Sequence, residues 1–221
     1  MRAAERSELR SHLFRLLPAL FVVLAAGCTD STAGRATPEP TSTTAEGTEA
    51  PTESTPDSDK LPTDGAPEVD DPIDTAKFQE NPCLSLTSEQ SADIFDVGAA
   101  GRQSGGPLGE TCEWRNESTH SRVWIGFLDK DPRGLSAEYG ANEDGRWAFF
   151  EPLPPIEGQP AVARGRLDDR EIGICTVVVG ASDEIAFETR VQLSQGNIGK
   201  MDPCAAAADV AGEAVKTIKA G

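Results

Sequence analysis

Histidine is almost missing from this sequence, and that absence removes most common catalytic chemistry. The 221 residues include only two histidines, His12 and His120. A nucleophilic triad and most metal centres need a well-placed imidazole. His12 lies in an N-terminal segment that we expect to be removed, and His120 lies in a polar turn at residues 118–121. We therefore predict no catalytic residues, no metal site and no cofactor, and we do not expect the protein to be an enzyme.

Positive charge is also scarce. The chain has 20 Lys and Arg against 37 Asp and Glu, a formal net charge of −17. The acidic excess lies after residue 28, since residues 29–78 carry −9 and residues 79–221 carry −10, whereas residues 1–28 carry +2. A chain this acidic repels phosphate backbones, so we expect no nucleic-acid partner. It also repels anionic lipid head groups, so a basic patch is not expected to hold it on a membrane.

Long apolar runs are missing too, apart from one short run near the N-terminus. Residues 16–26 are apolar except for Pro18, but a membrane-spanning helix needs about 20 such residues. Four arginines precede the run. A basic segment followed by a short apolar run indicates a signal peptide, here over residues 1–27. The run ends in Leu24-Ala25-Ala26-Gly27-Cys28, which resembles the lipobox of bacterial lipoproteins. We predict lipidation of Cys28 and a location on the outer face of the cell membrane. The alternative is an ordinary secretory signal followed by a cysteine.

The segment after Cys28 has almost no large apolar side chains. Residues 28–78 are rich in Thr, Ser, Pro and acidic residues, and their only large aliphatic residues are Leu61, Val69 and Ile73. Such a segment cannot bury enough apolar surface to offset its chain entropy. We predict a disordered tether with a reach of about 40 Å, followed by one folded domain over residues 79–221.

Four cysteines remain in the predicted domain: Cys83, Cys112, Cys175 and Cys204. An even number in an exported protein indicates two disulfide bonds, although four cysteines allow three pairings. We favour Cys83 with Cys112 and Cys175 with Cys204, because each bond would join the start of a helix to a strand. No pair has the C-x-x-C spacing of a redox or zinc site.

Local patterns in the domain predict an α+β fold. Thr87 and Gln90 form a capping box that opens a short helix, and Asp202-Pro203 opens a terminal helix that runs to about Lys219. Residues 98–109 contain five glycines and are predicted to be a loop. We expect a further short helix after Asp131-Pro132 and strands over residues 112–116, 122–128, 147–150, 159–167, 171–179 and 184–193. The prediction is an antiparallel sheet of about five or six strands, with the N-terminal and C-terminal helices packed on one face.

The densest apolar stretch of the domain is residues 147–156. Three prolines in its second half remove backbone donors, so this half should be an extended strip at the surface or at a sheet edge. Rigid apolar residues lose little entropy on binding. We therefore mark Trp147, Phe149, Leu153 and Ile156 as possible partner contacts. The alternative is that they cover the core.

The order of several short motifs resembles a known family. The motifs are Asn81-Pro82-Cys83, Cys112-Glu113-Trp114, Gly158-Gln159-Pro160-Ala161-Val162, Gly173-Ile174-Cys175 and Asp202-Pro203-Cys204. Together with the lipobox and the tether, they resemble an actinobacterial lipoprotein family known as domain of unknown function "thirty-five fifty-eight". The resemblance implies a lipoprotein of the cell envelope with no established activity. It supports four framework cysteines at these positions and provides no catalytic residues.

Three functional hypotheses remain from the sequence. The first is an interaction or accessory module that binds another envelope protein while lipid on Cys28 holds it to the membrane. The second is a binder or carrier of a small apolar ligand, which would need an internal cavity of about 300 Å³ or more. The third is a hydrolase, which would need a cleft with paired carboxylates. We rank them in that order.

Overall fold

A computed structural model of the chain describes residues 60–95, 99–106 and 109–221. The predicted signal peptide, Cys28 and residues 29–59 of the predicted tether lie outside the described residues. Within the described part, no helix is both long enough and apolar enough to span a membrane.

The described residues form four helices and one seven-stranded antiparallel sheet, which confirms the α+β prediction. The helices are α1 (Ala76–Glu80), α2 (Ser88–Phe95), α3 (Leu135–Glu143) and α4 (Pro203–Ala220). The strands are β1 (Arg102–Gly106), β2 (Gly109–Arg115), β3 (Arg122–Phe127), β4 (Phe149–Ile156), β5 (Gln159–Gly165), β6 (Ile174–Gly180) and β7 (Ala186–Gln192). Their order in the sheet is β1-β2-β3-β7-β6-β5-β4.

The count of five or six strands was too low because β1 lies within the predicted glycine-rich loop. Its register runs from Arg102 opposite Glu113 to Gly106 opposite Gly109. All five residues of β1 are exposed, so the strand has two wet faces. Such an edge strand has no apolar alternation for a sequence pattern to detect.

The main core lies between one face of the sheet and α4. Alternate residues of β6 and β7, including Val177, Val179 and Phe187, are fully buried there. The apolar stripe of α4 packs on them through Ala207, Ala211, Ala214, Val215 and Ile218. The start of α4 matches the sequence pattern, because the Asp202 carboxylate accepts hydrogen bonds from the N–H groups of Cys204 and Ala205.

Two disulfide bonds attach helical segments to this face. Cys83, in a 3-10 turn at Pro82–Ser85, is bonded to Cys112 of β2. Cys175 of β6 is bonded to Cys204 in the first turn of α4. The structure thus contains the pairing that the sequence analysis favoured among the three possible ones.

The opposite face of the sheet carries a second, smaller core under α3. Leu135 of α3 packs there with Val162, Val178 and Ala186, and Tyr139 meets Phe150 edge-on at 4.9 Å between ring centres. The prediction that the terminal helices share one face holds in part, since α4 packs on the main core and Ile94 of α2, the helix that Thr87 and Gln90 open, packs against the same core. Helices as a whole lie on both faces, since α3 is on the other one.

The described structure includes residues 60–78, which composition assigned to a disordered tether. The backbone N–H of Thr63 donates to Ser136 Oγ at 2.8 Å, and that of Val69 donates to Asp183 Oδ1 at 2.9 Å. Val69 is only 5% exposed. This segment is held through its backbone, and backbone hydrogen bonds leave no trace in apolar composition.

Candidate functional site

Helix α3 covers only part of its face of the sheet and leaves a cleft beside it. The cleft has a volume of about 610 Å³ and lies between α3, strands β5 to β7 and the segments that flank β4 and β5. Its floor is formed by Arg164, Thr176 and Glu188 from three neighbouring strands. Ala137, Glu138 and Ala141 of α3 form one wall.

A buried ion cluster lies at the centre of the cleft. Arg164 Nε lies 2.9 Å from Glu138 Oε2, and Arg164 Nη2 lies 2.8 Å from Glu188 Oε2. The side chains of Arg164 and Glu138 are only 10% and 8% exposed. Burial by itself would lower the pKa of Arg164, but the two carboxylates outweigh that effect and the pKa is raised. The guanidinium group is therefore a permanent cation that links α3 to β5 and β7.

Trp147 is fixed against this cluster. The guanidinium carbon of Arg164 lies 4.4 Å from the centre of the Trp147 ring. The Trp147 indole N–H donates to the Glu138 carbonyl oxygen at 3.2 Å. The half-buried ring is thus held by one stacking contact and one hydrogen bond, and it forms a rigid wall of the cleft.

The rim of the cleft carries apolar side chains and charges of both signs, the acidic ones being Asp131 and Asp169. Lys130 pairs with Asp129, and Arg146 pairs with Asp144. The remaining rim cations are Arg166 and Arg190. The apolar lining comprises Leu128, Ala137, Ala141, Leu167 and Ile174. Five basic and four acidic side chains line the cleft, and Arg166 and Arg190 form no ion pair with a described residue, so these two arginines are the groups that could receive a negatively charged ligand. Because Arg164 engages both Glu138 and Glu188, neither is presented as a free general base.

The structure divides the four predicted contact residues between two places. Trp147 and Phe149 line the cleft. Leu153 and Ile156 line a second groove of about 550 Å³ between β4 and α4. Both of these residues are half-buried and pack against the main core. Strand β4 is an edge strand, which confirms the position predicted from its prolines.

Sequence patterns did not point to Arg164, Glu138 and Glu188, the buried ion cluster of the cleft. The available signal was Arg164, a charge inside the otherwise apolar strand β5. A buried arginine requires carboxylate partners, but sequence distance gives no way to choose Glu138 and Glu188. The polar turn at residues 118–121 does not line the cleft, and its His120 is exposed after the end of β2. Among the described residues, no group of His, Cys, Asp or Glu side chains converges to hold a metal ion.

Fold and site together define a class: a small disulfide-bonded α+β domain with a charged cleft on the face opposite its terminal helix. The chain belongs to the family described as "Protein of unknown function (DUF3558)", whose model matches residues 23–217. This confirms the family that the order of motifs indicated. No curated protein and no solved structure matches the chain.

Proposed function

We propose that this protein is a lipoprotein, exported and held on the outer face of the cell membrane by lipid on Cys28. Three observations support the proposal: the basic segment with its short apolar run, the small residues before Cys28, and the two disulfide bonds. Disulfide bonds persist mainly in oxidising compartments outside the cytoplasm. In addition, the family match begins at residue 23, five residues before Cys28, so the region around this cysteine is part of the family pattern.

The lipid anchor has a direct test. Cells that express the wild type and a Cys28→Ser variant are labelled with a fatty-acid analogue. Label should appear on the wild type and be absent from the variant, which should still be exported. Equal label on the two proteins would contradict the anchor.

We further propose that the folded domain is an interaction module of the envelope, with the cleft beside α3 as its contact site. The observation that supports this role is the rigid wall formed by Trp147 and Arg164 in an open cleft of about 610 Å³. Tryptophan and arginine are enriched among the residues that dominate binding energies. Because both side chains are already fixed, little conformational entropy is lost when a partner binds.

Photo-crosslinking in intact cells tests this role. A photoreactive residue replaces Leu167, which is 70% exposed at the rim of the cleft. The control position is Leu84, which is 47% exposed in the 3-10 turn and does not line the cleft. We expect a discrete crosslinked partner from Leu167 and none from Leu84. The same crosslinks from both positions, or none from Leu167, would contradict the assignment.

A binder of a small apolar ligand is the second candidate, because the cleft volume lies within the range of about 300–1,000 Å³ typical of ligand sites. The charged floor at Arg164 and Glu188 opposes this reading, since an apolar ligand would have to cover charges that it cannot pair. Organic extraction of the purified protein separates the two candidates. A stoichiometric apolar compound would favour the ligand binder.

A further inference from the structure

The half of the sheet face that α3 does not cover carries further arginines beside the cleft. On this face Arg164 lies opposite Thr176, Thr176 lies opposite Arg190, and Arg190 lies opposite Trp124. These residues form one cross-strand row from the cleft to β3. We call Arg164, Thr176, Arg190 and Trp124 the arginine row. With strands about 4.8 Å apart, the row is about 14 Å long.

Two further arginines lie beside the arginine row, each in an ion pair: Arg122 with Glu113 at 3.6 Å and Arg115 with Glu117 at 3.2 Å. Arg122 lies two residues before Trp124 on the same face and opposite Arg115 of β2. The guanidinium carbons of Arg122 and Arg190 lie 5.9 Å and 5.6 Å from the centre of the Trp124 ring. The half-buried Trp124 therefore lies between two guanidinium groups, as Trp147 lies beside Arg164.

Two cations of this surface have no acidic partner among the residues that the structure describes. Arg166 and Arg190 are exposed, and neither forms an ion pair with any described residue. Each is placed near an indole ring, Arg166 near Trp147 at 5.9 Å and Arg190 near Trp124 at 5.6 Å. In a chain with 37 acidic and 20 basic residues, unpaired arginines grouped on one face depart from the overall charge. They present free, oriented donors for carboxylates.

We propose that the arginine row and the adjoining cleft bind an extended acidic segment of a partner protein, an inference that rests on the proposed interaction function. A row of about 14 Å spans about four residues of extended peptide. Carboxylates on that segment would pair with Arg166 and Arg190, while its apolar side chains enter the cleft beside Trp147. The acidic remainder of the domain repels such a segment, which confines binding to this face.

A protein segment fits this surface better than an anionic membrane does. Arg164 lies on the cleft floor and is only 9% exposed, so a flat bilayer surface cannot reach it. The formal net charge of −17 also opposes contact with anionic head groups.

The test uses the mature chain with Cys28→Ser, which keeps the protein free of lipid. The probes are a fluorescent deca-glutamate peptide and a deca-glutamine peptide of equal length. The variant Arg166→Gln/Arg190→Gln removes the two unpaired cations. The matched control, Lys77→Gln/Lys200→Gln, removes two other exposed cations that form no ion pair with described residues. Melting temperatures confirm that both variants fold.

We expect deca-glutamate, but not deca-glutamine, to bind the parent protein, with an affinity that falls as salt is raised. The dissociation constant should rise at least tenfold in the Arg166/Arg190 variant and less than twofold in the Lys77/Lys200 control. Equal losses in the two variants would show that net charge alone attracts the peptide, and would overturn the proposal.

Two further outcomes would also overturn it. Binding to phosphatidylglycerol vesicles in place of the peptide would assign the surface to lipid. Failure to bind deca-glutamate, while Leu167 still crosslinks a partner in cells, would reject the acidic segment and leave the interaction module intact. If deca-glutamate does not bind and Leu167 crosslinks no partner, both the acidic segment and the interaction module are rejected.

Discussion

Replacing Arg164 by leucine should destabilise the domain far more than replacing an arginine in a surface ion pair. The substitution leaves Glu138 and Glu188 facing the same space without a cation. Their side chains are 8% and 22% exposed, so water can solvate them only partly. Removing one partner from a buried ion cluster typically costs about 3–5 kcal/mol.

The geometry places the expected cost of Arg164→Leu toward the middle of that range. Three charge-assisted hydrogen bonds disappear, two of them to the almost fully buried Glu138. The stacking contact with Trp147 is lost as well, which contributes about 1–2 kcal/mol at a desolvated site. Glu188 retains some access to water, so leaving its charge without a partner costs less than it does for Glu138. We expect a loss of about 4 kcal/mol in the free energy of unfolding.

Arg170 provides a matched control for the urea unfolding experiment. Like Arg164, it pairs with two carboxylates, those of Asp168 and Glu151, and its guanidinium carbon lies 4.2 Å from the centre of an aromatic ring, that of Phe149. Its side chain is 33% exposed, and those of Asp168 and Glu151 are 46% and 53% exposed. Solvent screens such a pair, so Arg170→Leu should cost less than about 1 kcal/mol.

One additional measurement tests the cause of the Arg164 effect. The double variant Arg164→Leu/Glu138→Leu should recover much of the lost stability, because it removes the most buried uncompensated charge. If Arg164→Leu costs no more than Arg170→Leu at pH 7, the reasoning from burial is refuted.

Three other changes test the fold by urea unfolding. Replacing Cys175 and Cys204 by alanine opens a loop with a sequence separation of 29, and should cost about 3.5 kcal/mol; an unchanged midpoint would contradict this. Leu153→Ser/Ile156→Ser should cost at least about 2 kcal/mol, since both side chains pack on the main core; full stability would instead favour a free contact surface. Gly134→Ala should cost about 1–3 kcal/mol, because φ is 51° and a Cβ atom would lie 2.5 Å from a carbonyl oxygen; a neutral result would count against this loop geometry.

The features that sequence predicted well depend on residues close together in the chain. Thr87 and Gln90 exchange hydrogen bonds across three residues, and Asp202 caps α4 within the next three. These contacts follow from local geometry, so a short pattern contains both partners. The alternation of buried and exposed side chains along β7 was predictable for the same reason, because it can be read from consecutive residues.

The features that sequence missed depend on partners far along the chain. Val69 is ordered through a hydrogen bond to Asp183, 114 residues away. Strand β1 forms because β2 offers it a paired edge, and its own residues show no strand pattern. Neither composition nor periodicity contains the position of such a partner, so sequence patterns predicted neither the structure around Val69 nor strand β1.

The charged residues of the candidate site were missed for the same reason, whereas two of its aromatic residues were predicted. Trp147 and Phe149 were predicted as contacts from apolar density, and both line the cleft. The partners of Arg164 are 26 and 24 residues away, on a helix and on another strand, where no local pattern connects them. A single arginine in a buried strand nevertheless implies that carboxylates must approach it from neighbouring elements. Such a residue is therefore the position in a sequence of this kind from which a search for a polar site should begin.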